Sequence, residues 1–187
     1  SRQVVVAGTA EAVETVAGHF AARGVGTTRL NTATAFHTPL VASASEPLLE
    51  FLRGVDVRPP RRPVLGNADA REYPADPDAV RERLAAQLAR PVAFVDVVEA
   101  MYAAGVRTFV EVGAGAALTG LVGQILEDRP HAAVPLDRRG RNGLTTLQEG
   151  LGRLAVRGVA MDLAALSADT GAGETVERAP LSGSAVR

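Results

Sequence analysis

The stretch that decides the fold class is residues 3–32, QVVVAGTAEAVETVAGHFAARGVGTTRLNT. Residues 3–7 contain three consecutive valines, and such a run is typical of a β-strand. Thr9 then offers a hydroxyl as a helix cap, apolar residues recur at helical spacing, and Gly24 supplies a left-handed stop. Residues 27–32 predict a second strand. This β-α-β pattern predicts an α/β architecture.

Further helices and strands are predicted downstream by the same signals of periodicity, caps and stops. They are a helix over 45–52 before Gly54, an extended connector over 58–63, a brief strand and turn over 64–67, a helix beginning at Asp76-Pro77, a helix over 92–104, a buried strand over 108–112, a helix carrying Leu118, Leu121, Val122 and Ile125, and an amphipathic helix carrying Leu144, Leu147, Leu151 and Leu154.

The composition excludes several classes of function. The chain has 187 residues, of which 47% are hydrophobic and 22% charged, as in ordinary globular proteins. Its basic and acidic residues nearly balance at a formal charge of −1, which predicts no nucleic-acid partner. No apolar run approaches the roughly 20 residues of a membrane helix, so we expect a cytoplasmic protein without a membrane partner. Cysteine is absent and the three histidines are widely spaced, which predicts no metal site.

His37 is the most informative candidate for chemistry. It follows a predicted strand and precedes Thr38-Pro39, where a scaffold presents side chains to a cleft. A histidine can act as a general base because it titrates near neutral pH. An isolated histidine more often only packs or caps, and spacing alone does not decide between these interpretations.

Several motifs in order resemble the acyl-CoA:acyl-carrier-protein acyltransferase domains of type I polyketide synthases. Together they extend over about 160 residues. They are residues 3–8 (QVVVAG), 35–40 (AFHTPL, around the family's catalytic histidine), 63–67 (PVLGN), 87–94 (QLARPVAF), 109–115 (FVEVGAG), and 134–138 with 157–163 (VPLDR and RGVAMDL, like the linker after the acyltransferase). The AFHTPL motif with this linker also resembles iterative synthases such as those of enediynes.

The resemblance implies a division of the chain. Residues 1–36 would be half of a ferredoxin-like small subdomain, a β-α-β half. Residues 37–128 would be the C-terminal part of an α/β-hydrolase-like acyltransferase subdomain. Residues 129–167 would be the linker after the acyltransferase, and we expect residues 168–187, rich in Gly, Ala and Ser, to form a disordered tail.

The resemblance also implies a mechanism. In the family, a serine takes an acyl group from CoA and passes it to the phosphopantetheine thiol of an acyl carrier protein. His37 would accept the serine proton, and the backbone carbonyl of Gln87 would orient its Nδ1–H in the place of a triad aspartate. The substrates would be malonyl-CoA and the carrier's phosphopantetheine, with no cofactor or metal bound by the domain itself.

Two positions bear on the choice of acyl group. Phe36 precedes the histidine where a bulky side chain in the family leaves no room for an α-methyl branch, which predicts malonyl, whereas serine there predicts methylmalonyl. Thr34 stands where malonyl-specific domains usually have histidine, which weakens this preference. A single methyl group is worth about 1–3 kcal/mol of discrimination, so the residue sets a preference.

The family's nucleophile motif, Gly-His-Ser-x-Gly, does not occur in this sequence. We therefore expect the serine to lie in polypeptide outside this chain, and we expect the chain alone to be inactive. The expected partners are the N-terminal part of the same acyltransferase, an acyl carrier protein and a neighbouring ketosynthase.

Two alternatives from other classes stay open at this point. The glycine turn Gly113-Ala114-Gly115 after a predicted strand could belong to an S-adenosylmethionine or dinucleotide site. The pattern is weak, because Leu118 stands where a third glycine would allow close helix packing. The chain could also be a non-catalytic docking module that grips a partner through the leucine stripe from Leu144 to Leu154, although such a stripe more often packs on its own domain.

Overall fold

The computed structural model describes residues 3–32 and 34–162, which form six α-helices, a 3₁₀ helix and one pair of strands. The elements are α1 (Ala10–Ala21), the 3₁₀ helix (Pro39–Ala44), α2 (Ser45–Arg53), α3 (Pro77–Gln87), α4 (Phe94–Ala103), β1 (Thr108–Glu111), α5 (Ala117–Leu126), β2 (Ala132–Pro135) and α6 (Gly143–Val156). The tail predicted over 168–187 lies outside the described residues. None of the helices in the described part has the length and apolar character needed to cross a membrane.

Two of the helices begin at capping residues that the sequence predicts. The Thr9 hydroxyl accepts a hydrogen bond from the Ala12 N–H at 3.3 Å and starts α1. Asp76 accepts from the Ala79 N–H at 2.9 Å and starts α3, with a proline in the first turn. These caps confirm the predicted helix starts.

The core forms where β1 and β2 pair in parallel. Val110 of β1 stands opposite Val134 of β2, and α5 crosses over between the two strands. The buried side chains of Val98 from α4, Phe109 from β1, and Val122 and Leu126 from α5 pack together. The architecture is therefore mixed α/β, as the sequence predicts, and it contains a small parallel sheet.

The β-α-β unit lies elsewhere than predicted. Residues 3–7 and 27–32 are not strands, and neither pairs with a strand in the described part of the chain. Val4 and Val5 are 85% and 74% exposed. Strand propensity alone forms no strand, because the backbone groups need a neighbouring strand to bond with. The unit that does form is β1–α5–β2.

The strand assignments further along the chain also need correction. The strand predicted over 108–112 ends at Glu111, and it is only half-buried because Val110 is 42% exposed. The brief strand predicted over 64–67 reduces to a single antiparallel bridge between Leu65 and Glu72. Strand β2, by contrast, was not predicted from the sequence.

Helix α6 packs on β2 through a glycine. A Cβ added at Gly150 would lie 2.8 Å from Leu136 Cδ2 and 3.0 Å from the main-chain oxygen of Pro135. Leu154, on the same helix, is buried. The inner part of the leucine stripe therefore packs on its own domain, which argues against the docking-module alternative.

Helices α2 and α3 hold the segment that carries His37. Arg81 of α3 donates from Nε to the main-chain oxygen of Leu52 and from Nη2 to that of Val55, both at 2.9 Å. These bonds fix the carbonyl end of α2 to α3. The 3₁₀ helix leads directly into α2, and His37, two residues before the 3₁₀ helix, hydrogen-bonds to Leu88 at the end of α3.

Candidate active site

His37 has a backbone conformation that few residues adopt. Its φ is +63°, in the left-handed region that disfavours residues other than glycine. The His37 N–H donates to the main-chain oxygen of Leu88 at 3.0 Å, which ties this turn to the end of α3. Thr38 then donates to the Ala35 oxygen at 2.7 Å and accepts from the Leu40 N–H at 3.3 Å, capping the 3₁₀ helix. The turn thus aims the imidazole at α3.

The imidazole of His37 contacts main-chain oxygens with one of its two nitrogens. Nδ1 lies 3.2 Å from the oxygen of Gln87 and 3.2 Å from the oxygen of Arg90. A carbonyl oxygen only accepts hydrogen bonds, so Nδ1 is the nitrogen that carries the proton. In the neutral ring, Nε2 then holds the lone pair that can accept a proton.

The Gln87 oxygen keeps a lone pair for the imidazole because α3 ends at this residue, and the Arg90 oxygen lies three residues beyond that end. The last carbonyls of an α-helix have no partner within the helix. After Gln87 the chain tightens, with the Arg90 N–H donating back to the Gln87 oxygen at 3.2 Å, and Pro91 cannot extend the helix.

The side chain of Gln87 has its own partner. The Tyr73 hydroxyl donates to Gln87 Oε1 at 3.1 Å. Tyr73 directly follows Glu72, whose bridge to Leu65 closes the loop over residues 66–71, and the Tyr73 N–H donates to the Val64 oxygen at 2.8 Å. Sequence reasoning missed both Tyr73 and the Arg90 oxygen, because no local spacing marks them.

Arg83 holds the loop that carries Tyr73. Its guanidinium donates to the carboxylate of Asp69 and to the main-chain oxygens of Arg71 and Glu72, and its side chain is only 17% exposed. Burial of the Asp69 carboxyl opposes its charge, but the hydrogen bonds from Arg83 and from the Arg71 N–H outweigh this effect. They hold the pKa of Asp69 below its ordinary value.

The two residues predicted to select the acyl group lie beside His37 in the chain, and both are exposed. Phe36 is 52% exposed, and Thr34 is exposed as well. The structure therefore leaves the Phe36 ring open to contact with a substrate or with further polypeptide. The roles predicted for His37, Gln87, Phe36 and Thr34 in catalysis and selectivity stay predictions.

Backbone N–H groups of the glycine turn after β1 and of the first turn of α5 donate to carboxylates of this chain. Glu111 accepts from the N–H groups of Leu118 at 3.1 Å and Thr119 at 2.7 Å, and from the Thr119 hydroxyl at 2.6 Å. Asp137 accepts from the Gly115 N–H at 3.2 Å. An S-adenosylmethionine or dinucleotide site would need a free helix N-terminus here. The occupied N–H groups argue against that alternative.

The same contacts set the charge of Glu111. Partial burial would raise the pKa of this carboxyl, but the hydrogen bonds from Thr119, Leu118 and Ala117 outweigh burial and lower the pKa below its ordinary value. Within residues 3–32 and 34–162, no three His, Asp or Glu side chains form a group that could hold a metal ion.

Comparisons with known proteins agree on one family. The acyl transferase domain family matches residues 1–161. The spectinabilin polyketide synthase system protein NorB of Streptomyces orinoci is 33% identical over 90% of this chain and 8% of its own length. The malonyl CoA-acyl carrier protein transacylase of Bacillus subtilis is 36% identical over 66% of this chain and 39% of its own length.

A solved structure gives the same answer. The acyltransferase domain from the second module of the salinomycin polyketide synthase is 28% identical with a TM-score of 0.72, over 88% of this chain and 39% of that one. The chain thus spans about two fifths of the length of this domain and of the Bacillus transacylase. These matches confirm the resemblance to polyketide synthase acyltransferases that the sequence motifs predicted. This chain belongs to the acyl transferase domain family.

Proposed function

We propose that this chain is the histidine-bearing part of a polyketide synthase acyltransferase that moves a malonyl group from CoA to the phosphopantetheine thiol of an acyl carrier protein. The observation that supports it most directly is the contact of His37 Nδ1 with the main-chain oxygens of Gln87 and Arg90. In this arrangement Nε2 is the proton acceptor. Family membership supplies the reaction class, and the name of the Bacillus relative specifies malonyl-CoA and an acyl carrier protein.

In the proposed mechanism, His37 works in two half-reactions. Nε2 first takes the proton of a serine hydroxyl as that oxygen attacks the malonyl thioester. The same proton then passes to the departing CoA thiolate, leaving a malonyl-serine ester. In the second half-reaction Nε2 deprotonates the phosphopantetheine thiol, whose sulfur takes the malonyl group while the proton returns to the serine oxygen. The Gln87 carbonyl keeps the imidazole oriented throughout, as the aspartate does in a triad.

The serine of this mechanism lies, in our proposal, in polypeptide outside this chain. No Gly-x-Ser-x-Gly motif occurs in the sequence, and the chain spans 39% of the Bacillus transacylase. Residues 1–36 would then be half of a ferredoxin-like subdomain, 37–128 part of an α/β-hydrolase-like subdomain, and 129–167 a linker toward a ketosynthase. The exposed Phe36 ring would line the acyl pocket and favour malonyl over methylmalonyl.

Two measurements test the proposal. The isolated 187-residue chain, incubated with radiolabelled malonyl-CoA, is expected to carry no covalent label, because it lacks the nucleophile. In the complete polypeptide that contains this chain, His37→Ala is expected to slow malonyl transfer by roughly 10²- to 10⁴-fold.

The matched control is His19→Ala, which removes an exposed histidine from α1 and should leave the rate unchanged. A labelled isolated chain would contradict the location of the serine. Undiminished transfer by His37→Ala would contradict the mechanism itself.

A further inference from the structure

Tyr73 connects the loop that is closed by the Leu65–Glu72 bridge to the last residue of α3. Its hydroxyl donates to Oε1 of Gln87 at 3.1 Å, and both residues are partly buried. Gln87 therefore makes two contacts with different consequences. Its side chain accepts from Tyr73, while its main-chain oxygen lies 3.2 Å from Nδ1 of His37.

The Tyr73 ring also contacts a second side chain of α3. The guanidinium of Arg83 lies over the ring at 4.8 Å from its centroid. Arg83 and Gln87 are one helical turn apart on α3, so they lie on one face of the helix. The ring thus packs against that face, with its hydroxyl at the Gln87 end. The bonds of Arg83 to the Arg71 and Glu72 oxygens fix the approach of the loop.

A restraint at this position matters because Gln87 is the terminal residue of α3. Helix ends fray, since the last turn lacks some of the hydrogen bonds that hold the interior. The turn after Gln87 is held by longer bonds, with the Leu88 N–H 3.4 Å from the Ala85 oxygen and the Ala89 N–H 3.3 Å from the Ala86 oxygen. The Tyr73 bond restrains the same residue through its side chain.

We propose that Tyr73 is a positioning residue for His37: its hydroxyl restrains Gln87, and thereby one of the two main-chain oxygens that lie within hydrogen-bond distance of the imidazole Nδ1. This inference rests on the proposed function, in which His37 is the base. Tyr73 itself touches neither the substrate nor the imidazole in this scheme. Its effect should therefore fall on the rate of proton transfer and leave the binding of malonyl-CoA unchanged.

The test uses the complete polypeptide that contains this chain. It compares substitutions at the two tyrosines of this chain, Tyr73 and Tyr102. Tyr73→Phe keeps the ring under Arg83 and removes only the hydroxyl. We expect kcat for malonyl transfer to fall roughly 5- to 10-fold, as for one lost hydrogen bond, with KM for malonyl-CoA unchanged. The matched control is Tyr102→Phe, whose ring lies under Arg107 and Arg129 instead, and its kcat should match that of the parent protein.

A double-mutant cycle distinguishes an effect through the Tyr73–Gln87 hydrogen bond from a general loss of structure. Gln87→Met removes the acceptor of the Tyr73 bond and keeps the main-chain oxygen. If both residues act through one hydrogen bond, the double variant should be no slower than the slower single variant, within about twofold. Multiplied effects of the two substitutions would overturn the inference, and so would a raised KM with unchanged kcat in Tyr73→Phe.

His37→Ala, measured in parallel, distinguishes failure of the positioning inference from failure of the proposed function. If this variant shows the expected loss of roughly 10²- to 10⁴-fold while Tyr73→Phe transfers malonyl at the parental rate, the positioning role is wrong and the proposed function stands. If His37→Ala remains fully active, the proposed function itself fails.

Discussion

The imidazole Nδ1 of His37 lies 3.2 Å from the main-chain oxygen of Gln87, a residue 50 positions further along the chain. The left-handed turn at His37 and the end of α3 meet there, and the His37 N–H bond to Leu88 holds them together. Nδ1 lies equally close to the oxygen of Arg90, so both of its partners are backbone atoms. Side-chain substitution removes neither oxygen.

This geometry predicts that a side-chain change at Gln87 costs much less than a change at His37. In the complete polypeptide, Gln87→Met should slow malonyl transfer roughly 5- to 10-fold, since the oxygen stays and only its restraint by Tyr73 is lost. His37→Ala should cost roughly 10²- to 10⁴-fold. Gln148→Met, at an exposed position of α6, is the control. A Gln87→Met protein as slow as His37→Ala, with an unchanged melting temperature, would contradict this interpretation.

The exposed ring of Phe36 predicts a change in acyl preference. Phe36→Ser should admit the α-methyl branch and narrow the ratio of kcat/KM for malonyl-CoA over methylmalonyl-CoA by roughly 10-fold, the scale of one methyl group in a pocket. Competition between the two thioesters, with the acylated carrier protein analysed by mass, measures this ratio. Phe51→Ser removes another exposed ring, on α2, and should leave the ratio unchanged. Equal ratios in both variants would exclude Phe36 as a selectivity residue.

The sequence predicted the helices well because their signals are local. Thr9 and Asp76 each bond a backbone N–H three residues on, so the sequence nearby contains all that defines the helix start. Strands were harder to predict, since a strand exists only with its partner. The valines at 4 and 5 have high strand propensity and stay exposed, whereas β2 forms because β1 lies beside it.

The contacts of the candidate site were hard to predict for the same reason, because they join residues that are distant in the sequence. His37 and Gln87 could be named from the resemblance to a family, but no spacing within this sequence joins residues so far apart. Tyr73 and the Arg90 oxygen were missed because their relation to the site is purely tertiary. A main-chain oxygen is also invisible to any argument from residue type, since every residue carries one.

The lowered pKa of Glu111 predicts a specific dependence of stability on pH. A carboxyl whose pKa is lower in the folded than in the unfolded chain stabilises the fold above its ordinary value of 4.5, and this contribution is lost as the pH falls through the folded value. Chemical unfolding of the chain should therefore show stability falling as the pH drops below 4.5. In Glu111→Gln this acid-dependent loss should be smaller.

At neutral pH the same variant should be less stable by about 1 kcal/mol, because the amide is a weaker cap for the N–H groups of Leu118 and Thr119. Glu82→Gln, at an exposed position of α3, serves as the control and should keep the parental pH dependence. Parallel pH curves for the parent and Glu111→Gln would show that Glu111 is not the cap of α5.

The packing of α6 on β2 predicts that alanine substitutions at two glycines of this helix have opposite effects on stability. Replacing glycine by alanine inside a helix normally stabilises it by about 1 kcal/mol. At Gly152 a Cβ would meet nothing within 4 Å, so Gly152→Ala should show this gain. At Gly150 the Cβ would press on the Pro135 oxygen at 3.0 Å, and a strand backbone moves less readily than a side chain.

Gly150→Ala should therefore destabilise the chain by about 1–3 kcal/mol, the usual cost of overpacking, despite the better helix propensity of alanine. The midpoints of urea unfolding for the two variants and the parent measure the difference. If α6 were a loosely attached strap rather than part of the fold, both substitutions would shift the midpoint upward together. A rise for Gly152→Ala with a fall for Gly150→Ala places the contact with β2 in the folded state of the protein.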